Sequence, residues 1–304
     1  MLLYRWQGAA RNFGDELNAL LWPRLLPDFF DDDPAEVFLG IGSVLDARHV
    51  PGAVKLVVGA GYGGYEPLPA LDTSWVIHWV RGPRTARLLG LPPAAGLGDP
   101  AMLVGWPPSQ PSPSPACGGG LGRGPIGFMP HFESAERGAW AEAAAAAGLE
   151  LLDPRGNPHA VIAAIGRCRL LLSEALHGII VADALRVPWI AIEPLAEVHR
   201  PKWQDWAETL DLRIEFRRLA ASSLLERLQS SRLAAMHTGR RLLDTGAPML
   251  RRLARRRFVE QAAQALGRAV TASPQNSAAV ALDRCQARML DRLEAVRRDP
   301  RRAA

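Results

Sequence analysis

One pattern limits the fold of this chain more than any other: short, almost unbroken apolar runs alternate with segments of helical period. Residues 2–6, 37–44, 54–59 and 75–80 have strand character, whereas residues 13–26 place Leu17, Leu20, Leu21 and Leu25 on one helical face. Pro83 suits the first turn of a short helix over residues 84–89. The alternation resumes with strands at 125–130, 149–152, 170–173 and 189–192, separated by helices at 134–147, 158–166 and 176–185. Strands that are apolar along their whole length are buried on both faces, as in parallel sheets covered by helices. The expected fold class is therefore α/β, built from two Rossmann-like halves. Open sheets of this kind bind ligands at the carboxyl ends of their strands, so the cleft between the halves is the expected site.

A change in composition separates the halves. Residues 105–124 carry Pro107, Pro108, Pro111, Pro113 and Pro115 among serines, followed by Gly118, Gly119 and Gly120, which reads as a linker. The chain thus divides into a first Rossmann-like unit over 1–104, the linker over 105–124, a second unit over 125–238 and a tail over 239–304. In the tail, Leu250, Ala254, Phe258, Ala262 and Leu266 recur every four residues, and a second helix over 277–298 aligns Leu282, Cys285, Met289, Leu293 and Val296. The net charge of +5 is concentrated there: from Gly239 onward 15 arginines face 6 acidic residues. Positive charge on a terminal appendage, without interleaved aromatics on the core, argues against a nucleic-acid partner. The three cysteines, Cys117, Cys168 and Cys285, are odd in number and widely spaced, which suits a reducing compartment rather than a disulfide framework. No signal-peptide pattern opens the chain, and no apolar run approaches the ~18 residues of a membrane span. A cytoplasmic location is expected.

Several segments at strand ends carry residues suited to chemistry. Asn12-Phe13-Gly14-Asp15-Glu16 opens the first helix, where Asn12 can cap and Asp15 with Glu16 can complement the dipole. The same Asp15 can equally face the cleft and bind a hydroxyl or take its proton. Gly40-Ile41-Gly42-Ser43 and Gly59-Ala60-Gly61 follow strands but match neither a Walker loop nor a dinucleotide fingerprint. Arg81 lies at a strand's carboxyl end and offers a two-pronged donor for carboxylate or phosphate, or else a salt bridge. Ser173-Glu174-Ala175-Leu176-His177-Gly178 joins an apolar strand to an apolar helix and puts His177 at the ligand edge. His159, His177 and His199 show no metal-ligand spacing, so no metal is expected. Lys202 is the one lysine after Lys55 in an arginine-rich chain.

In this order, Asn12 to Asp15, Gly40 to Ser43, Val80-Arg81-Gly82-Pro83, Gly98-Asp99-Pro100-Ala101, Ser173 to Gly178 and Val187-Pro188 resemble the polysaccharide pyruvyltransferase family, over roughly residues 1 to 210. The Ser-Glu-Ala-Leu-His-Gly stretch is similar to that of ketal pyruvyltransferases of the succinoglycan type. The resemblance implies a GT-B-like arrangement of the two halves. It implies phosphoenolpyruvate as donor substrate, no cofactor, and a sugar acceptor carried on a lipid-linked oligosaccharide. It also implies a donor site holding Arg81, His177 and Lys202, with Ser173 and Gly178 in the same motif as the histidine. The chemistry of the residues themselves adds an acceptor site at Asn12, Asp15 and Glu16, with His177 and Asp15 as the catalytic groups and Glu16 as the other carboxylate able to accept the hydroxyl proton. Many members carry arginine two residues before the histidine; this chain has Ala175, so the donor cation must come from elsewhere or the donor site is rearranged. Lipid-linked acceptors further imply peripheral contact of the basic tail with the cytoplasmic face of the inner membrane; in the other reading the tail helices pack back on the first unit, as terminal helices do in GT-B folds, and their arginines are simply solvated. The alternatives to be separated by donor dependence are a GT-B glycosyltransferase using a nucleotide sugar and a non-enzymatic glycan-binding module.

Overall fold

The computed structural model describes residues 1–8, 10–106, 124–194, 199–229 and 248–298. The Pro- and Gly-rich stretch expected to link the halves falls almost wholly outside the described residues. Two parallel sheets form the molecule. In the first, β1 (Leu2–Tyr4), β2 (Glu36–Leu39), β3 (Val54–Val58) and β4 (Trp75–Trp79) lie side by side in chain order. Helix α1 (Phe13–Leu25) makes the first crossover, and α2 (Pro83–Leu88) follows β4. The later crossovers of this sheet, residues 40–53 and 59–74, contain no helix; their length alone satisfies the parallel connection.

The second sheet has the order β6-β5-β7-β8-β9, all parallel: β5 (Ile126–Met129), β6 (Glu150–Leu151), β7 (Leu170–Ser173), β8 (Trp189–Ile192) and β9 (Phe216–Arg217). Its helices are α3 (Phe132–Arg137), α4 (Trp140–Ala146), α5 (Pro158–Arg167), α6 (Leu176–Ala184), α7 (Arg200–Thr209) and α8 (Leu224–Gln229). Strands β7 and β8 are buried at every position, as their unbroken apolar sequence requires.

The single helix expected over 134–147 is two helices. The break lies at Gly138–Ala139, where the Ala139 amide leaves the helix and donates to Ser222 Oγ at 2.9 Å, and Trp140 Nε1 donates to Glu226 at 2.5 Å. A Cβ at Gly138 would lie 2.5 Å from Ser222 Oγ, so this close tertiary contact interrupts what is otherwise good helix sequence.

The tail is no appendage. Helix α9 (Pro248–Val270) lays Ala262, Leu266 and Ala269 into the core beside Phe128 and Trp140, against α4. The chain then adds an antiparallel bridge at Trp189–Gln275 and pins Ser277 to buried Asp183. Helix α10 (Ala279–Arg297) returns to the first sheet: Leu282, Cys285, Met289, Leu293 and Val296 are all buried, and Gln286 donates to the Met102 carbonyl at 2.7 Å. One continuous apolar core joins α1, β2 and α10 to α5, α6, β7 and α7. No helix among the described residues is long and apolar enough to cross a membrane.

Candidate active site

The carboxyl ends of both sheets face a cavity of about 460 Å³. Its wall comes from the loops after β1, β2 and β3 on one side and after β5, β7 and β8 on the other. This is where parallel sheets expose the loop residues free to serve a ligand.

The turn into α1 contributes Asn12, Gly14 and Asp15. Asn12 occupies the N-cap position without a side-chain cap; its amide donates to Asp15 Oδ2 at 2.6 Å. Asp15 is 8% exposed, and that burial pushes its carboxyl above the usual range against the opposing pull of His177, Asn12 and Lys202. The loop after β2 is locked to the same helix by Asn18, fully buried, which donates to the Ile41 carbonyl and accepts from the Ile41 amide, both at 2.8 Å. Gly42 and Ser43 are thereby fixed at the cavity wall.

His177 stands in the first turn of α6, opposite Gly14. A Cβ on Gly14 would lie 2.0 Å from His177 Nδ1, so glycine is what admits the ring. The other ring nitrogen, Nε2, lies 3.4 Å from Oδ2 of Asp99, an ion-pair distance whose alignment falls short of a hydrogen bond. Asp99 is wholly buried, and its second oxygen accepts from the Ala101 amide at 2.9 Å. Burial pushes the Asp99 carboxyl up, but the His177 charge, the Ala101 amide and Arg81 together bring it below the usual range. A buried carboxylate behind a cavity-facing imidazole orients the ring, the arrangement required of a general acid or base.

Lys202, on α7, reaches the cavity from the far side, its ammonium 3.3 Å from the Tyr65 hydroxyl. The side chain is partly exposed through the cavity mouth, yet the packing around Nζ pushes its pKa down to about 8, with Arg81 adding to the effect and Asp15 opposing it.

Four residues expected at the site do not line the cavity. The Arg81 guanidinium is 1% exposed and fully engaged: Nε donates to Asp205 at 3.1 Å, and the two terminal nitrogens donate to Ser43 Oγ and the Tyr62 carbonyl, both at 2.9 Å. Asp205 also accepts from the Arg84 and Thr85 amides, so the pair ties α7 to the start of α2 rather than offering a fork to a ligand. Ser173 is wholly buried, exchanging hydrogen bonds with the Ala175 backbone, and Gly178 provides the room: its Cβ would lie 2.6 Å from Ser173 Oγ. Glu16 points away and pairs with Arg5 at 3.4 Å.

The structure adds residues that the sequence reading did not single out. Asp99 was legible only as part of a motif. His131 and Glu133 follow β5 and approach His199 across the cavity, although far from it in sequence. Their one sequence signal is position: His131 comes two residues after the last residue of β5, at the ligand edge.

Residues 69–194 match the model of the polysaccharide pyruvyl transferase family, a stretch that contains Arg81, Asp99, His131 and His177. The match is not confined to that stretch. The chain is 35% identical over 319 residues to the succinoglycan biosynthesis protein ExoV of Rhizobium meliloti (strain 1021), spanning 97% of this chain and 98% of that protein. The chain belongs to the polysaccharide pyruvyl transferase family and is a transferase. No solved structure matches it.

Proposed function

We propose that this enzyme transfers a pyruvyl group from phosphoenolpyruvate to a sugar of an exopolysaccharide, as a ketal, at the stage of a lipid-linked oligosaccharide precursor in the cytoplasm. The observation that carries the reading is the facing pair of His177, backed by Asp99, and Asp15 in one cavity between the carboxyl edges of two parallel sheets. The two sheets would then act as the halves of a GT-B-like enzyme, divided near residues 105–124, with donor and acceptor meeting between them.

In this reading Lys202 takes an anionic group of the donor; Arg48 and Arg137 also line the cavity, but each is already paired, with Asp46 and Glu133. His177 as imidazolium delivers a proton to C3 of the enol, making it a methyl group and leaving cationic character at C2. One sugar hydroxyl adds to C2 and gives its proton to Asp15, whose carboxyl burial makes more basic. The C2–O bond to phosphate then breaks, phosphate departs with its electron pair, and the second hydroxyl closes the ketal. Of the two hydroxyl protons, one replaces that lost to C3 and the other leaves with phosphate. The reaction calls for no redox or group-carrying cofactor. Arg81 serves as a positioning residue that fixes α7, and hence Lys202, against Ser43.

The test is incubation with phosphoenolpyruvate and a panel of lipid-linked oligosaccharides, following phosphate release and acceptor mass. Stoichiometric phosphate with a mass gain for one pyruvyl ketal is expected. Sugar transfer from a nucleotide sugar, with no phosphate release from phosphoenolpyruvate, would overturn the assignment.

A further inference from the structure

Across the cavity from Asp15, three side chains converge that the transfer chemistry does not employ. His131 and His199 are 8% and 7% exposed, their rings 4.6 Å apart between centroids. Glu133 Oε2 stands 3.9 Å from His131 Nδ1 and 3.9 Å from His199 Nε2. One ligand-type atom from each residue lies within 4.8 Å of the other two. Bonds of about 2.0–2.2 Å from a first-row divalent ion to nitrogen and oxygen place neighbouring ligand atoms roughly 3–3.5 Å apart. Small side-chain shifts therefore bring this trio to coordination distance; Glu133 Oε2 also accepts from Arg137 at 3.4 Å, and a bound cation would take the place of that half-exposed pairing.

We infer that His131, Glu133 and His199 form a binding site for a divalent transition-metal ion of the zinc, cobalt or manganese class, with its open face toward the cavity. Two imidazoles and one carboxylate are a donor set of the right softness for such ions. The outer ring of the site is also present. Tyr65 Oη lies 2.6 Å from His199 Nδ1; in the tautomer in which Nδ1 donates to that oxygen, the Nε2 lone pair is left for the metal. Lys202 donates to the same phenolic oxygen, on the Nδ1 side of the ring. The His131 amide donates to Glu174 at 2.9 Å, which fixes the start of α3 beneath the site. An anionic oxygen of a ligand in the cavity can complete the coordination sphere.

The site is independent of which donor the enzyme uses, so the test needs no turnover. Full-length protein is stripped with a chelator and titrated with cobalt(II), following the visible ligand-field bands, and then with zinc(II) as competitor. One cobalt per chain is expected, displaced by zinc. His131→Ala and His199→Ala should abolish the bands, half-exposed Glu133→Gln should weaken binding ten- to hundredfold without threatening the fold, and Tyr65→Phe should weaken it about tenfold. His177→Ala should bind as wild type. Absence of cobalt bands in wild-type protein, or binding unchanged by Glu133→Gln and His199→Ala alike, would reduce the trio to an imidazole–carboxylate network. Loss of the bands in His177→Ala would place the ion elsewhere.

Discussion

At the scale of single residues, the proposed chemistry rests on His177 and what stands behind it. Removing a positioned acid–base group costs roughly 10²–10⁴ in rate. His177→Ala is therefore expected to lose transfer to that extent while its thermal unfolding stays near wild type, since the ring is partly exposed at a cavity wall. Retention of near wild-type turnover would remove it from the reaction. Asp99→Asn should lower kcat and alter the pH profile while leaving the donor KM nearly intact; a change in KM alone would make Asp99 a packing residue. Lys202 makes a prediction with a sign. Its ammonium loses its proton near pH 8, so kcat/KM for phosphoenolpyruvate should fall as pH rises through that value. Lys202→Arg, charged at any accessible pH, should remove that limb if the charge is what matters. Stability should move the other way, rising between about pH 8 and the unfolded value of 10.5, because there the unfolded chain binds the extra proton. His177 and Asp15 could be read from sequence because strand ends and helix starts mark the ligand edge. Asp99, His131 and Glu133 could not be read in the same way, since what singles them out is contact across the chain.

At the scale of elements, Arg81 shows how a side chain at the expected position can be engaged elsewhere. It lies at a strand's carboxyl end, as its sequence context requires, but α7 brings Asp205 to the same place, and the buried pair becomes the clasp between the two sheets. Breaking a buried ion pair from one side typically costs about 3–5 kcal/mol. Arg81→Ala is thus expected to lower the melting temperature by many degrees, with donor affinity falling only as a consequence. A stable variant with a selectively raised donor KM would restore Arg81 to the donor site. Gly14 gives the converse case: Gly14→Ala puts a methyl group where His177 Nδ1 sits, so activity should collapse while the helix is retained. An active Gly14→Ala enzyme would show that the ring does not work from its present position. Most strands and helices were legible because each keeps one period throughout. The break at Gly138 was not, because Ser222 and Glu226, remote in sequence, take the amide and indole that a continuous helix would have used differently.

At the scale of the whole molecule, the arginine-rich tail changes meaning once its partners are visible. Its apolar periodicity was legible, and packing back on the first unit, as α10 does, was one of the two readings it allowed; that α9 covers the second sheet was not legible. Helix α9 spends its buried apolar face on the second sheet, and α10 supports the Asp99 turn through Gln286 and Met289. Deleting everything after Gly239 would expose the core and undercut Asp99, so truncation cannot isolate a membrane role. What remains for a membrane is charge: Arg255, Arg256 and Arg257 are exposed on α9, the first two already paired with Glu142 and Glu260. A basic residue near an anionic leaflet contributes about 1 kcal/mol, less where a carboxylate already neutralises it. A lipid-linked acceptor makes such contact useful, and its strength should be purely electrostatic. Full-length enzyme is expected to sediment with anionic vesicles at low ionic strength and to be released as salt shortens the Debye length toward about 8 Å. Replacing all three arginines with glutamine should weaken sedimentation roughly ten- to hundredfold and leave turnover of a water-soluble acceptor unchanged. Enzyme that ignores anionic vesicles at low salt, or a triple variant that binds them as wild type does, would strip the tail of any membrane role and leave it as the brace behind Asp99.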